Sequence, residues 1–467
     1  MADRTNALVA TIVAGVVLAG CSTVPEDRGF DQVRADVEQH LDQPVHWYRG
    51  EPEDEQAVEA MRALLDEPLT ADTAVQIALL NNRRLQATYQ ELGIAQAQLV
   101  QAGLLRNPVF DAAVLFPASG GAAKLELGVA QEFLSVLYIP MRRQIADAEL
   151  DAATAAVTQA VLDLAGRTRS AFYHVQAQQQ LLEMHEQIVL STEASYEAAQ
   201  RLHHAGNITD LTLDLERAFH EQTRLDLAAA EASLLESRER LNALMGLWGH
   251  ETTWELPPRL PDVPEAELDL AQLERRAIEQ SLTLAGMRQH IVALGRQLGV
   301  TDATALVPEL QLGAEAERES GRWKLGPSVQ LPIPLFDQGQ ARRATAEAQL
   351  RQTQERYAAQ AVELRAAVRA ARHRKLAARR QALYHRDILL PLHQRITQES
   401  LRQFNAMELG LFDLLRVRKQ QAEAGGRYIQ ALRDYWLART DLELIFSGGA
   451  PSTFDHGDGA GRSRDPF

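Results

Sequence analysis

Residues 142–204 read RRQIADAELDAATAAVTQAVLDLAGRTRSAFYHVQAQQQLLEMHEQIVLSTEASYEAAQRLHH, with no proline and Gly166 as the only glycine. At about 1.5 Å per residue this is roughly 90 Å of helix, more than a globular domain has room for. A seven-residue row runs through Val161, Thr168, Val175, Leu182, Val189 and Tyr196, and a second through Leu150, Val157, Leu164 and Ala171. These rows make a coiled-coil seam. Small residues between the rows let neighbouring helices pack on more than one side.

The stretch has a double. Sliding the chain by 200 positions lays Pro108 on Pro308, Lys124-Leu125 on Lys324-Leu325 and Val129 on Val329. Arg142-Arg143 then falls on Arg342-Arg343, Leu164 on Leu364, Arg169 on Arg369 and His185 on His385. The order of elements repeats too: helix, paired strands, very long helix. The chain is therefore an internal duplication. Its first repeat spans 69–254 and its second 265–447, with the proline-rich 255–264 as the joint. A second long helix is expected from Arg342 to about Asn405, interrupted at Pro391. Returning helices are expected over about 210–247 and 413–446. Each repeat opens on a shorter helix; Thr70 caps the first, which is read as continuous to Leu105 before Asn107-Pro108. Residues 448–467 read as a disordered tail.

After Pro108 and Pro308 the period changes from helical to alternating. Phe110, Ala112, Val114 and Phe116 share one side, as do Leu310, Leu312, Ala314 and Ala316, while Asp111, Gln311 and Glu315 take the other. The partners KLELGVAQEF and WKLGPSVQLPI alternate likewise, with Pro327 unable to donate to a ladder. Hairpins are expected at 109–134 and 309–335. Their strands have about the ten residues that a tilted transmembrane strand needs. Soluble hairpins with one wet face fit the alternation equally well.

Composition narrows the class. A net charge of −15 argues against nucleic acid, whose phosphates demand a basic face. Hydrophobic residues make up 46% of the chain, which excludes wholesale disorder, and aromatics only 6%. Beyond the N-terminal run no stretch has the apolar length of a spanning helix, so any crossing of a membrane falls to strands. The single cysteine, Cys21, follows that run, Ala7 to Ala19, which has the length of a signal-peptide core. Leu18-Ala19-Gly20-Cys21 resembles the bacterial lipobox, which implies a signal peptide over 1–20 and a lipid-anchored segment over 21–68. Cys21 would then carry diacylglycerol and an N-acyl chain, since two or three chains hold a membrane surface far more firmly than one. Ser22 resembles the sorting signal of outer-membrane lipoproteins. A small buried cysteine behind an N-terminal helix is the plainer alternative.

Together these residues resemble the TolC-like outer-membrane efflux protein family, the exit ducts of tripartite efflux systems. The resemblance rests on Leu69-Thr70, Ala74-Val75, Ala78-Leu79, Asn81-Asn82 and Leu85, on AGLLRNP at 102–108, on DYWLARTDLELIFSG near the C-terminus, on the duplication and on the lipobox. It implies an α+β membrane protein: coiled-coil helices forming a periplasmic α-barrel, and four strands per chain completing a twelve-stranded barrel in a homotrimer. The implied partners are a periplasmic adaptor, an inner-membrane transporter and outer-membrane lipid, in a Gram-negative bacterium. Carried over by position, Arg201, Leu202, Gly206, Arg402, Met407 and Gly410 belong to adaptor-docking turns. Asp413, Arg416 and Arg418 become candidates for a charged constriction, and Met407 stands where the family usually has glycine. The cargo, whether drug, metal ion or other small solute, is not legible. The competing reading is a periplasmic coiled-coil lipoprotein that only spaces the envelope.

Enzyme chemistry finds no foothold: no nucleophile-base pair, paired carboxylates or phosphate-binding glycine pattern occurs. His203-His204 are adjacent on a helix and do not face each other, so no metal site is expected; beyond the lipid on Cys21 no cofactor is expected.

Overall fold

The computed structural model describes residues 29–116, 118, 123–265, 272–304, 310–319 and 321–449. The expected signal peptide, Cys21 and the residues beyond Gly449 lie outside them. Its helices are α1 (Phe30–Leu41), α2 (Pro52–Leu65), α3 (Ala71–Asn81), α4 (Arg83–Gly103), α5 (Leu134–His204), α6 (Asp210–Met245), α7 (Leu273–Gln280), α8 (Leu282–Thr304), α9 (Gln340–Tyr384), α10 (Leu390–Asn405) and α11 (Leu411–Phe446). The strands are β1 (Val109–Leu115), β2 (Lys124–Glu132), β3 (Gln311–Glu319) and β4 (Arg322–Gln330). No described helix is long and apolar enough to cross a membrane.

The chain folds as two compact units. One gathers residues up to 33 with 89–157 and 284–360, and holds the sheet. Its four strands are antiparallel in the order β1-β2-β3-β4. Below the strands, small residues let α5 pack on two sides. Ala146 and Leu150 meet Ala95 and Leu99 of α4, while Ile145 and Ala148 meet Ala293 of α8. The second unit gathers 34–88, 158–283 and 361 onward. There Tyr173 of α5 stacks on Trp436 of α11 at 4.9 Å, and Gly166 and Gly426 mark close approaches between the same two helices.

Several boundaries differ from the sequence reading, each for a backbone reason. The helix from Thr70 to Leu105 is two helices, because Asn82 turns extended between them. Its side chain accepts from Leu85 N at 3.0 Å, starting α4, and donates to Leu244 O at 2.8 Å. Asn81 Nδ2 donates to Met245 O and Gly246 O at 3.2 and 2.8 Å. The two asparagines thus satisfy carbonyls that the end of α6 leaves without helical partners. Gly246 is left-handed (φ +72°), and a Cβ there would stand 2.7 Å from Asn81 O.

The long first helix begins at Leu134 rather than Arg142 and carries Pro140 inside it. Arg142 donates to Ser135 O at 3.2 Å, supporting the first turn around the proline. Pro391 does not interrupt the second long helix. One π turn, His385–Leu389, precedes it and absorbs the missing donor. Gly448 and Gly449, read as the start of the tail, close α11 instead: Gly448 O accepts from Leu282 N at 3.2 Å.

Replacing Asn81 by leucine leaves two carbonyls unpaired at a buried contact. A loss of about 2–4 kcal/mol is expected, read as a lowered thermal midpoint in detergent, with the exposed Glu91→Ala as the neutral comparison.

Candidate functional site: the two-faced sheet and the helix turns

Register gives the sheet two unlike faces. On one, Phe110, Val129, Ala314 and Pro327 stand side by side, followed by the row Ala112, Leu127, Ala316 and Leu325. Most of these side chains lie bare, Phe110 66% and Leu325 81% exposed, while Leu127 and Ala316 are half-buried. On the other face Asp111, Gly128, Glu315 and Gly326 align, then Ala113, Glu126, Glu317 and Lys324. Lys124 lies 2.7 Å from Glu126 and 3.3 Å from Glu317, and Lys324 lies 2.9 Å from Glu319. On this face the six carboxylates Asp111, Glu126, Glu132, Glu315, Glu317 and Glu319 outnumber the cations Lys124, Arg322 and Lys324; the remaining strand cation, Arg318, stands on the other face between Leu125 and Trp323. The polar face is therefore net acidic.

The two hairpins are not copies in register. Phe110 opposes Val129, whereas the residue opposing Val329 is Leu312 and not the equivalent Leu310. The slip is two residues, so every side chain keeps its face. Its cause is the turn: Glu319 already pairs with Arg322, and Gly321 takes φ +80°. Pro327 falls on β4, which pairs only with β3 in this chain, where a missing donor is tolerated.

The helix turns show the duplication more faithfully. After α5, Gly206 is left-handed (φ +75°); its N–H reaches His203 O at 2.8 Å, and Asn207 N reaches Leu202 O at 2.8 Å. After α10, Met407 takes the same role: φ +63°, Met407 N to Phe404 O at 3.0 Å, and Glu408 N to Gln403 O at 2.9 Å. Methionine in place of the usual glycine thus leaves the turn's shape unchanged. Its side chain is 94% exposed.

The remaining sequence candidates lie around these turns. Arg201 pairs with Glu197 at 3.4 Å and Arg402 with Glu399 at 3.1 Å; Leu202 is half-buried, and Gly410 caps α11. Asp413 and Arg416 are brought together at 2.9 Å, while Arg418 is exposed and joins neither. His203 Nε2 donates to the Asp210 carboxylate at 2.6 Å rather than pairing with His204. No cluster of three or more metal-ligating side chains occurs among the described residues.

Sequence reading missed a polar group above the turns. Thr192 bridges His220 at 3.2 Å and Thr223 at 2.9 Å, and Ser195 donates to Glu216 at 2.6 Å. A small cavity opens beside them against Phe412, Leu415 and Lys419 of α11. Thr192 continues the second heptad row, and a hydroxyl at such a position was the available signal. Further along, burial pulls the Lys375 ammonium below its ordinary pKa, with Arg439 and Arg379 adding to the effect. Burial, with Arg433 and Arg240, likewise holds His174 below the usual histidine value.

The sequence model of the outer membrane efflux protein family matches residues 74–247. The chain is 24% identical over 385 residues to the cobalt-zinc-cadmium resistance protein CzcC of Cupriavidus metallidurans, covering 81% of this chain and 90% of CzcC. Its fold is that of the Campylobacter jejuni CmeC outer membrane channel, with a TM-score of 0.70 and 16% identity over 82% of this chain and 87% of CmeC. CusC, solved in a study of transmembrane channel formation, gives a TM-score of 0.67 at 17% identity, covering 81% of this chain and 92% of that one.

Met407→Gly removes the left-handed cost of a side chain, about 1 kcal/mol. Slower hydrogen exchange at the Glu408 amide is expected, and faster exchange at Asn207 in Gly206→Met.

Proposed function

Because the chain belongs to the outer membrane efflux protein family, we propose that three copies form an exit duct for solutes handed over by an adaptor and an inner-membrane pump. The observation that carries this is the two-faced sheet. Strands in hydrocarbon must have every backbone group paired and an apolar outer face. The four strands have the face, and in one chain β1 and β4 each pair on one side only. Three copies joined edge to edge close twelve strands and leave no unpaired edge. Channels of this family are not enzymes; the energy for export comes from the pump.

Divalent metal ions are the cargo we favour. CzcC is named for cobalt, zinc and cadmium resistance. The net acidic sheet face supports the same reading, since a ring of carboxylates around a pore favours cations. The turns carrying Arg201, Leu202, Gly206, Arg402, Met407 and Gly410 serve the adaptor, and Asp413 with Arg416 serves as the constriction. Arg418 is retained in that role only as a residue of the same helix turn. Acylation of Cys21 anchors the segment before α1 to the inner leaflet of the outer membrane; intact-mass measurement of the mature N-terminus checks it.

Planar-bilayer recording decides between a duct and an envelope spacer. Discrete cation-preferring openings are expected, larger in Asp413→Ala. Folded, acylated protein that conducts nothing would favour the spacer. Arginine on the apolar face, as in Leu127→Arg, is expected to destabilise the inserted protein by about 2–4 kcal/mol. Glu126→Arg on the other face leaves insertion unchanged and weakens cation preference.

A further inference from the structure

In the second unit α6 and the later part of α9 each bury one face and leave side chains bare on the other, and the bare row of α9 runs on through the π turn into α10. On α6, His220, Thr223, Ser237 and Leu241 are buried, while Leu211, Leu215 and Leu225 are 68%, 62% and 67% exposed. On the later part of α9 the buried row is Leu364, Val368, Ala371, Ala378 and Ala382; Tyr384, Ile388 of the π turn and Leu392 of α10 lie exposed, and α10 buries no residue fully.

Charges flank the two bare faces in a matching pattern. Exposed Asp214, Glu221 and Glu236 follow one another along α6 at steps of 7 and 15 residues. Exposed Arg402, Arg395 and Arg380, taken backwards along α10 and α9, follow at the same steps of 7 and 15. Both series start beside a turn: Asp214 is the fifth residue of α6, and Arg402 the fourth from the end of α10. Asp214, Glu236, Arg380 and Arg395 form no ion pair within the chain among the described residues. Glu221 and Arg402 hold only exposed pairs on their own helices, with Arg224 at 3.2 Å and Glu399 at 3.1 Å. Such pairs contribute little and exchange readily.

We infer that α6 of one copy packs antiparallel against α10 and the end of α9 of the next. Leu215 then meets Leu401, which is exposed like Ile388 and Leu392, Leu225 meets Ile388 and Leu392, and the three acid–base pairs set the register. The reading rests on the proposed trimer and adds which surfaces join. The two surfaces differ, so the contact is head-to-tail, the kind that closes a ring. Matched charges at fixed steps also oppose slippage by a turn, because none of the three acids then faces an arginine.

Charge reversal tests the register. In detergent, Arg395→Glu combined with Arg380→Glu is expected to raise the trimer dissociation constant at least about tenfold, and adding Glu221→Arg with Glu236→Arg to restore it. Oxidation of Glu236→Cys with Arg380→Cys should link chains covalently up to trimers. Neither single variant should do so, nor the native chain with Cys21 alone. Trimers indifferent to the reversals and not linked by the cysteine pair would overturn this interface and leave the duct standing. A native chain that remains monomeric and non-conducting would overturn the duct and the interface together.

Discussion

A strand facing hydrocarbon has no water to satisfy its N–H and C=O groups, and this constraint organises the molecule. Pairing must be complete, so the strands alternate faces, and register becomes the quantity that cannot be wrong. The second hairpin slips by two residues against the first and still keeps its apolar side intact. A slip of one would have put Lys324 and Arg322 of β4 on the same side as the apolar residues of β3. Within one chain the four-stranded sheet has two edges, and α6 and the end of α9 likewise leave apolar side chains bare.

Left-handed residues end the long helices at comparable places in both repeats. Gly206 and Met407 turn the chain between the long helices and their returns, and Gly246 and Gly448 stop the returns. Three of the four are glycine because a Cβ is strained there. Met407 accepts the strain and leaves a large apolar side chain exposed. Around Gly246 the requirement is doubled, since the asparagine pair that caps α6 leaves no space for a side chain.

Much of this was legible in residues alone. A proline-free run with heptad rows specifies a long helix regardless of its neighbours. Alternation specifies two-faced strands, and a constant offset of 200 specifies duplication. Proline misled in both directions. Pro140 lies inside a helix whose first turn Arg142 supports, and Pro391 is tolerated through a π turn. Both accommodations come from side chains or backbone geometry beyond a local pattern. Asn81-Asn82 was visible as a motif, but its task at the end of α6 depends on residues some 160 positions away.

By itself the sequence determined what most segments are: coiled coil, hairpin and turn follow from periodicity and from residues with one preferred backbone. Only the tertiary structure decided which segments meet. The two-residue slip, the pairing of Asp413 with Arg416 but not Arg418, and the Thr192–His220–Thr223 group are instances. So is the division of each helix into a buried and a bare face. The physical reason is range: periodicity is set within a turn or two of chain, whereas partners are chosen by packing between residues a hundred or more positions apart.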